Sequence, residues 1–318
     1  MEVCHSPHQS NVTLYGAMFV AIITVETFAG MWINAFIVCV ISIAWVKKNT
    51  HMNSNEKILL LLGGSRFCFL CFSWIYSFLS TIYPYYLLVH PIMQLLLGAG
   101  STFNCSNLWV SACLFVFYCI KIANFRSRFF IYLKVKIDRF VPWLLLGSEI
   151  YSLGIGILGY NIIDKAVCEN INFTCQGRFW KANIRLEEQF SPLYFPFGFV
   201  YITTFTAVIS STLLLLFSLW RHKRNMQTNS MSSLSMDAHI KAMKSILSFL
   251  VMYSINFITL IVTMIYSTKE EKPMMFLIFV FLYAFPGVHS LILIFSNPKL
   301  VKILLRILMY VKSRVCMK

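Results

Sequence analysis

The sequence predicts an all-α membrane protein: a seven-transmembrane helix bundle with its N-terminus outside and a short amphipathic inner helix after the seventh span. Three observations lead there. The 318 residues are 58% hydrophobic and only 12% charged, with a mean hydropathy of +0.71. Soluble domains carry about twice that charged fraction, so a water-facing surface cannot be assembled from these residues. Seven apolar runs are long enough to cross roughly 30 Å of hydrocarbon. Lysine and arginine crowd onto one side of those runs.

The first thirteen residues, MEVCHSPHQSNVT, have neither the basic nor the apolar region of a cleavable signal peptide. The first span, Leu14–Trp45, is therefore expected to direct insertion. Lys57–Tyr83, Pro91–Ile122, Phe140–Ile163, Phe190–Trp220, Ile240–Tyr266 and Pro273–Phe295 follow as spans two to seven. No soluble domain, internal repeat or low-complexity segment separates them. Residues 1–318 thus read as one domain, with 1–13 as an outer N-terminus, 164–189 as the second outer loop and 298–318 as an inner tail.

Orientation follows from basic residues, which mark the cytoplasmic side. With the N-terminus outside, the inner segments hold Lys47, Lys48 and Lys57; then Lys121, Arg126, Arg128, Lys134, Lys136 and Arg139; then Arg221, Lys223, Arg224, Lys241 and Lys244; and finally Lys299, Lys302, Arg306, Lys312, Arg314 and Lys318. These are twenty of the 27 basic residues. The outer segments hold six, and seven acids balance them. The net charge of +15 is thus a basic cytoplasmic face against an anionic leaflet. It is not the basic surface of a nucleic-acid binder. A multi-pass plasma-membrane protein is expected.

Two N-glycosylation sequons, at Asn11 and Asn172, both fall on the expected outer side; Asn172 is the better placed, mid-loop. Beyond Asn297-Pro298, Lys299, Lys302 and Arg306 share one helical face, and Leu300, Ile303, Leu304, Ile307 and Leu308 share the other. That pattern suits a helix lying in the inner interface among membrane lipids. Among ten cysteines no spacing repeats as a metal site requires. Cys39, Cys68, Cys71, Cys113 and Cys119 read as core residues. Cys168 and Cys175 share the long outer loop and could form a local disulfide. Cys316 is a lone thiol near the tail.

Ionisable residues inside a membrane are costly and mark function by default. Arg66 lies nine residues past Lys57, about 13 Å into the bilayer at 1.5 Å per residue. Asn34, His289 and Ser290 lie at a similar depth. A buried polar cluster tying spans one, two and seven is expected, with Asn34, Arg66 and Ser290 as an activation network; a packing clamp without a switching role is the alternative. Glu26 lies about two turns further out. Glu149 is nearer Arg66 in depth, and a pairing between them stays open.

Absences narrow the function. Residues 273–298 contain no lysine for a retinal Schiff base. There is no HExxH motif, no intramembrane Asp/His cluster for zinc and no glycine-rich phosphate loop, so no enzyme and no cofactor are expected. Two related three-span halves, as in seven-span carriers, are not found.

The third span reads LWVSACLFVFYCIKIANF over residues 108–125. Other marks fall in order: Asn34, Leu62-x-x-x-Arg66, Leu144-Leu145-Leu146-Gly147-Ser148, Pro196-Phe197, Leu215-x-x-Ser218-Leu219-Trp220-Arg221-His222, Ala238-His239-Ile240-Lys241-Ala242-Met243-Lys244, and His289-Ser290-Leu291-Ile292-Leu293 with Asn297. Together they resemble the type 2 bitter taste receptors across residues 34 to about 300. The resemblance implies a G-protein-coupled receptor for bitter small-molecule agonists. It implies signalling through a gustducin-type or other inhibitory-class heterotrimeric G protein to phospholipase C and calcium. The corresponding ligand positions are Gly100, Asn104, Gln189, Asn256, Thr263 and Phe279, and the expected G-protein contacts are Tyr118, Lys121, His222, His239 and Lys244.

The sequence departs from the family at the ligand site. Gly100 stands where a tryptophan is frequent, Cys105 where the motif has histidine, Asn256 where tyrosine is common, and Phe279 where some members carry glutamate. A deeper, less aromatic pocket anchored by Asn104 and Asn256 follows; the alternative for Gly100 is close helix contact. A vomeronasal type 1-like receptor shares the architecture and is the runner-up, with a seven-span carrier third.

Overall fold

The computed structural model describes residues 14–48, 51–87, 89–123, 125, 127–171, 179–228, 233–266 and 272–315, without side chains for 15, 48, 166–194, 225–242, 264–275, 311, 314 and 315. Every regular element among them is helical: α1 (Leu14–Lys48), α2 (Ser54–Ile82), α3 (Pro84–Leu87), α4 (Ile92–Ile122), α5 (Arg128–Ile171), α6 (Phe179–Thr228), α7 (Ser233–Tyr266), α8 (Lys272–Ser296) and α9 (Pro298–Val315). Seven are long and apolar enough to span: α1, α2, α4, α5, α6, α7 and α8. Helices satisfy their own backbone polar groups, as lipid demands. They match the seven runs read from the sequence.

The helices outrun those runs. At 44 residues, α5 is about 66 Å long at 1.5 Å per residue, twice the hydrocarbon thickness. It begins at Arg128 rather than Phe140 and continues to Ile171, so turns expected to be loop on both sides are helical. Lipid thickness limits the apolar run, whereas a hydrogen-bonded helix continues wherever its sequence allows. At the start of α2, the backbone N–H of Asn53 donates to Glu56 Oε2 at 3.2 Å, satisfying one of the groups a helix start leaves open.

The bundle centres on α4, which packs against α2, α5 and α6 and is the most buried span. Its core includes Leu108, Val110, Leu114 and Phe115, packed with Ile58, Leu62, Val208, Phe249 and Tyr253. Without a hydrophobic force between helices in lipid, close approach rests on small residues. Two crossings show it. A Cβ on Gly287 would sit 3.1 Å from Gly30 Cα where α8 meets α1. One on Gly156 would sit 2.8 Å from Gly98 O and collide with Thr102 where α5 meets α4. A Cβ on Gly100 meets nothing within 4 Å, so close helix contact belongs to Gly98.

After Asn297, α9 packs on α8 and α1. Leu300 is buried, Ile303 and Leu304 are partly covered, and Leu305, Ile307 and Leu308 lie exposed. Its far half thus projects from the bundle with an apolar face bare, as an interfacial helix requires. Cys119 is a core residue, as expected, but Cys39 is exposed on α1. A thiol is apolar enough to face lipid.

Candidate functional site

Arg66 is the largest fully buried side chain, with none of its surface exposed. Its Nε donates to Asn107 Oδ1 at 2.7 Å, and Nη1 donates to Ser290 Oγ at 2.8 Å. Nη2 donates to Ser111 Oγ at 3.1 Å and to His289 Nδ1 at 2.5 Å. Ser290 Oγ passes its own proton to Asn34 Oδ1 at 2.7 Å, and Asn34 Nδ2 donates to Gly30 O at 2.8 Å. The expected grouping of Asn34, Arg66, His289 and Ser290 is therefore present. It joins a fourth element as well, because Asn107 and Ser111 bring in α4. These two residues stand four apart, on one helix face; that spacing was the available signal for them.

The hub is neutral except for the guanidinium. Among the described residues no carboxylate lies within ion-pair reach of Arg66. Glu149 does not pair with it: Glu149 Oε1 accepts from Ser106 Oγ at 2.6 Å across the α4–α5 contact. Depth along a span leaves azimuth open, and Glu149 points to the other side of α4. Holding an ion in a low-dielectric interior costs several kcal/mol even after relaxation. Four hydrogen bonds from a charged donor, at about 1.5–3 kcal/mol each, are of the size that offsets it.

Aromatic rings wall the hub. His289 lies 5.1 Å from Phe249, 5.4 Å from Phe285 and 6.1 Å from Phe115, centroid to centroid. Tyr253 packs on Phe115 and Phe285, both at 6.1 Å. Because Nδ1 of His289 accepts from Arg66, its proton resides on Nε2. That Nε2 and the Tyr253 hydroxyl are buried without a hydrogen-bond partner among the described residues.

The expected ligand positions lie toward the ends where α1 begins, the side expected to be outer. Gly100 and Asn104 sit on α4, and Asn104 lies beside the Tyr201 hydroxyl of α6. Asn256 is buried in α7, next in sequence to Phe257, whose ring stacks on Phe205 of α6 at 3.8 Å. Thr263 spends its hydroxyl proton on Thr259 O at 2.8 Å. Phe279 is engaged elsewhere, stacked on Tyr283 and edge-on to Phe19 of α1, both at 6.0 Å. It belongs to the α1–α8 packing. Tyr283, missed by the sequence reading, also ties α8 to Ser77 of α2 at 2.8 Å. The side chain of Gln189 lies outside the described residues.

At the opposite ends, Tyr118 donates to Asn55 Oδ1 at 3.1 Å and Lys121 pairs with Asp138 at 2.5 Å. His222 is exposed near the end of α6, and Lys244 is exposed three turns into α7. The side chains of His239 and Cys168, and residues Asn11, Asn172, Cys175 and Cys316, lie outside the described ones. No group of three or more His, Cys, Asp or Glu side chains able to hold a metal occurs among the described residues.

Seven helices long and apolar enough to span, four of them joined by a buried polar hub, define a seven-helix, multi-pass membrane protein. The comparisons specify it further. The family described as "Taste receptor protein (TAS2R)" matches residues 12–312. The chain is 31% identical over 309 residues to taste receptor type 2 member 9 of Macaca mulatta, covering 93% of this chain and 95% of that one. It is 31% identical to taste receptor type 2 member 7 of the same species, covering 91% of each. It is 32% identical to taste receptor type 2 member 41 of Rattus norvegicus, covering 88% and 92%. The chain belongs to the TAS2R taste receptor family, and with it to the G-protein-coupled receptors.

Proposed function

We propose that this receptor detects bitter small molecules from the outer side of the plasma membrane, N-terminus outside, and signals through a gustducin-type or other inhibitory-class G protein to phospholipase C and calcium. The observation that carries the reading is the family match over residues 12–312. Agonists bind in the outer half of the bundle, where Gly100 leaves volume on α4 and Asn104 and Asn256 supply hydrogen bonds. Both amides can donate and accept, so the pocket suits neutral, polar-headed apolar compounds. The Arg66 hub, with Asn34 and Ser290, is the element whose rearrangement carries agonist binding to the cytoplasmic ends. There Tyr118, Lys121, His222, His239 and Lys244 face the G protein.

Expression with a promiscuous G protein, a calcium readout and a broad bitter panel tests the reading. Saturable responses to at least one compound are expected, absent from cells without the receptor. Silence across the panel at verified surface density would overturn it.

A further inference from the structure

We propose that a hydroxyl latch, Ser245 of α7 on Ser296 of α8, holds the inner end of the α7 span shut, and that its release lets the receptor engage a G protein without agonist. The proposal rests on the reading that Lys244 faces the G protein.

Ser296 is the last residue of α8, and Ser245 lies two residues past Met243, where the apolar run of α7 begins. Their hydroxyl oxygens are hydrogen-bonded. Ser296 Oγ donates its own proton to Ile292 O at 2.7 Å. A hydroxyl has one proton, so Ser245 is the donor between the helices and Ser296 the acceptor. Among the described side chains from Met243 to Ser248, this is the one hydrogen bond that leaves α7; Ser248 donates to Lys244 O of its own helix at 2.9 Å.

Other inner ends are tied by stronger polar groups. Tyr118 of α4 donates to Asn55 of α2, Lys121 of α4 pairs with Asp138 of α5, and Lys299 of α9 lies 3.9 Å from Glu56 of α2. The α7 end meets α4 and α6 through apolar groups instead: Met243 and Ile246 pack on the cluster of Cys119, Ala123, Leu215 and Leu219. That cluster closes the inner ends of α4, α6 and α7 on one another, and a partner entering among them must part it. In lipid no hydrophobic force favours such contacts over contacts with acyl chains, so one polar tie to α8 weighs in where the α7 end rests.

The latch also lies close to the hub. Ser245 stands four residues from Phe249, about one helical turn, and the Phe249 ring lies 5.1 Å from His289, which accepts from Arg66. A shift of the hub against α7 reaches the latch through that turn. Losing one hydrogen bond shifts a two-state balance by about twofold to tenfold.

The test measures agonist-free inositol phosphate in cells expressing the full-length receptor with a promiscuous G protein, at matched surface density. Ser245→Ala and Ser296→Ala should each raise it by about twofold to tenfold. The double variant should rise no further than either alone, because both remove the same bond. Ser248→Ala, which cuts no tie to α8, should match the wild type. Single variants that stay at the wild-type level overturn the latch. Effects that multiply in the double variant overturn it too, as does an equal rise in Ser248→Ala. The bitter panel on the same cells separates the two readings. A wild type that answers the panel, beside variants without an agonist-free rise, sinks the latch alone. Raised agonist-free signalling in the variants, beside silence across the panel, keeps the latch and sinks the bitter-ligand reading.

Discussion

Replacing Arg66 by alanine removes the four hydrogen bonds that reach Asn107 and Ser111 on α4 and His289 and Ser290 on α8. Ser290 keeps its bond to Asn34, but Asn107 Oδ1 and His289 Nδ1 lose their donor. At about 1–3 kcal/mol for each buried group left unmatched, the loss is about 2–6 kcal/mol, and the space left by the side chain adds a cavity term. Against it stands the relief of the desolvation cost of a buried cation, worth several kcal/mol. The two nearly cancel in stability. They do not cancel in what is held together, because the polar ties from α2 to α4 and α8 at this depth are lost. We therefore expect Arg66→Ala to reach the surface at a near wild-type level while basal signalling or agonist potency changes by about tenfold or more, the equivalent of 1.4 kcal/mol. Arg66→Lys should reach the surface less well, since it keeps the charge but loses the planar fork that serves four acceptors. Surface labelling of an N-terminal epitope, with calcium concentration–response curves at matched density, measures both. An unchanged basal level and an unchanged curve for Arg66→Ala would refute the reasoning and leave the hub a packing clamp.

Further outcomes follow from other positions. Gly100→Trp should fold, because its first added carbon meets nothing within 4 Å, yet should block bulky agonists; loss of surface expression would contradict this. Asn104→Ala should right-shift most agonists by about 1 kcal/mol or more, read as EC50 on the same cells. Gly156→Ala should lower surface level by forcing α5 away from Thr102 and Gly98 O, whereas Gly154→Ala, with nothing within 4 Å, should not; equal levels would deny the close crossing. Lys121→Ala removes a half-exposed ion pair with Asp138 worth about 0–1 kcal/mol. Thermal stability should hold while G-protein activation falls, and unchanged nucleotide exchange would remove Lys121 from the coupling surface.

Spans were legible because lipid imposes a length and an apolar composition that the chain cannot hide. The depth of Arg66 was legible for the same reason, counted in residues from Lys57, and depth alone brought Asn34, His289 and Ser290 to its level. Azimuth was not. The four-residue spacing of Asn107 and Ser111 marks a polar face on the third span, but Ser106 makes the neighbouring face polar too, and composition does not say which of them meets Arg66 and which meets Glu149. Phe279 shows the same limit: its level matches the expected pocket, but its ring turns to Phe19 and Tyr283. Helix ends were legible only where the apolar run and the helix coincide, which fails for α5.

The burial of α4 at the centre of the bundle bears on how far a signal has to travel. Asn104, in the expected agonist pocket, and Asn107, bonded to Arg66, are three residues apart on one helix, about 4.5 Å along its axis. A single turn of stiff backbone is the whole path between them. A ligand that rotates or lifts α4 moves both amides as one body, with no relay of side chains in between. The two positions should then behave as one lever: in a double-mutant cycle on agonist potency, Asn104→Ala and Asn107→Ala are expected to depart from additivity by about 0.5 kcal/mol or more, and strict additivity would separate pocket from hub.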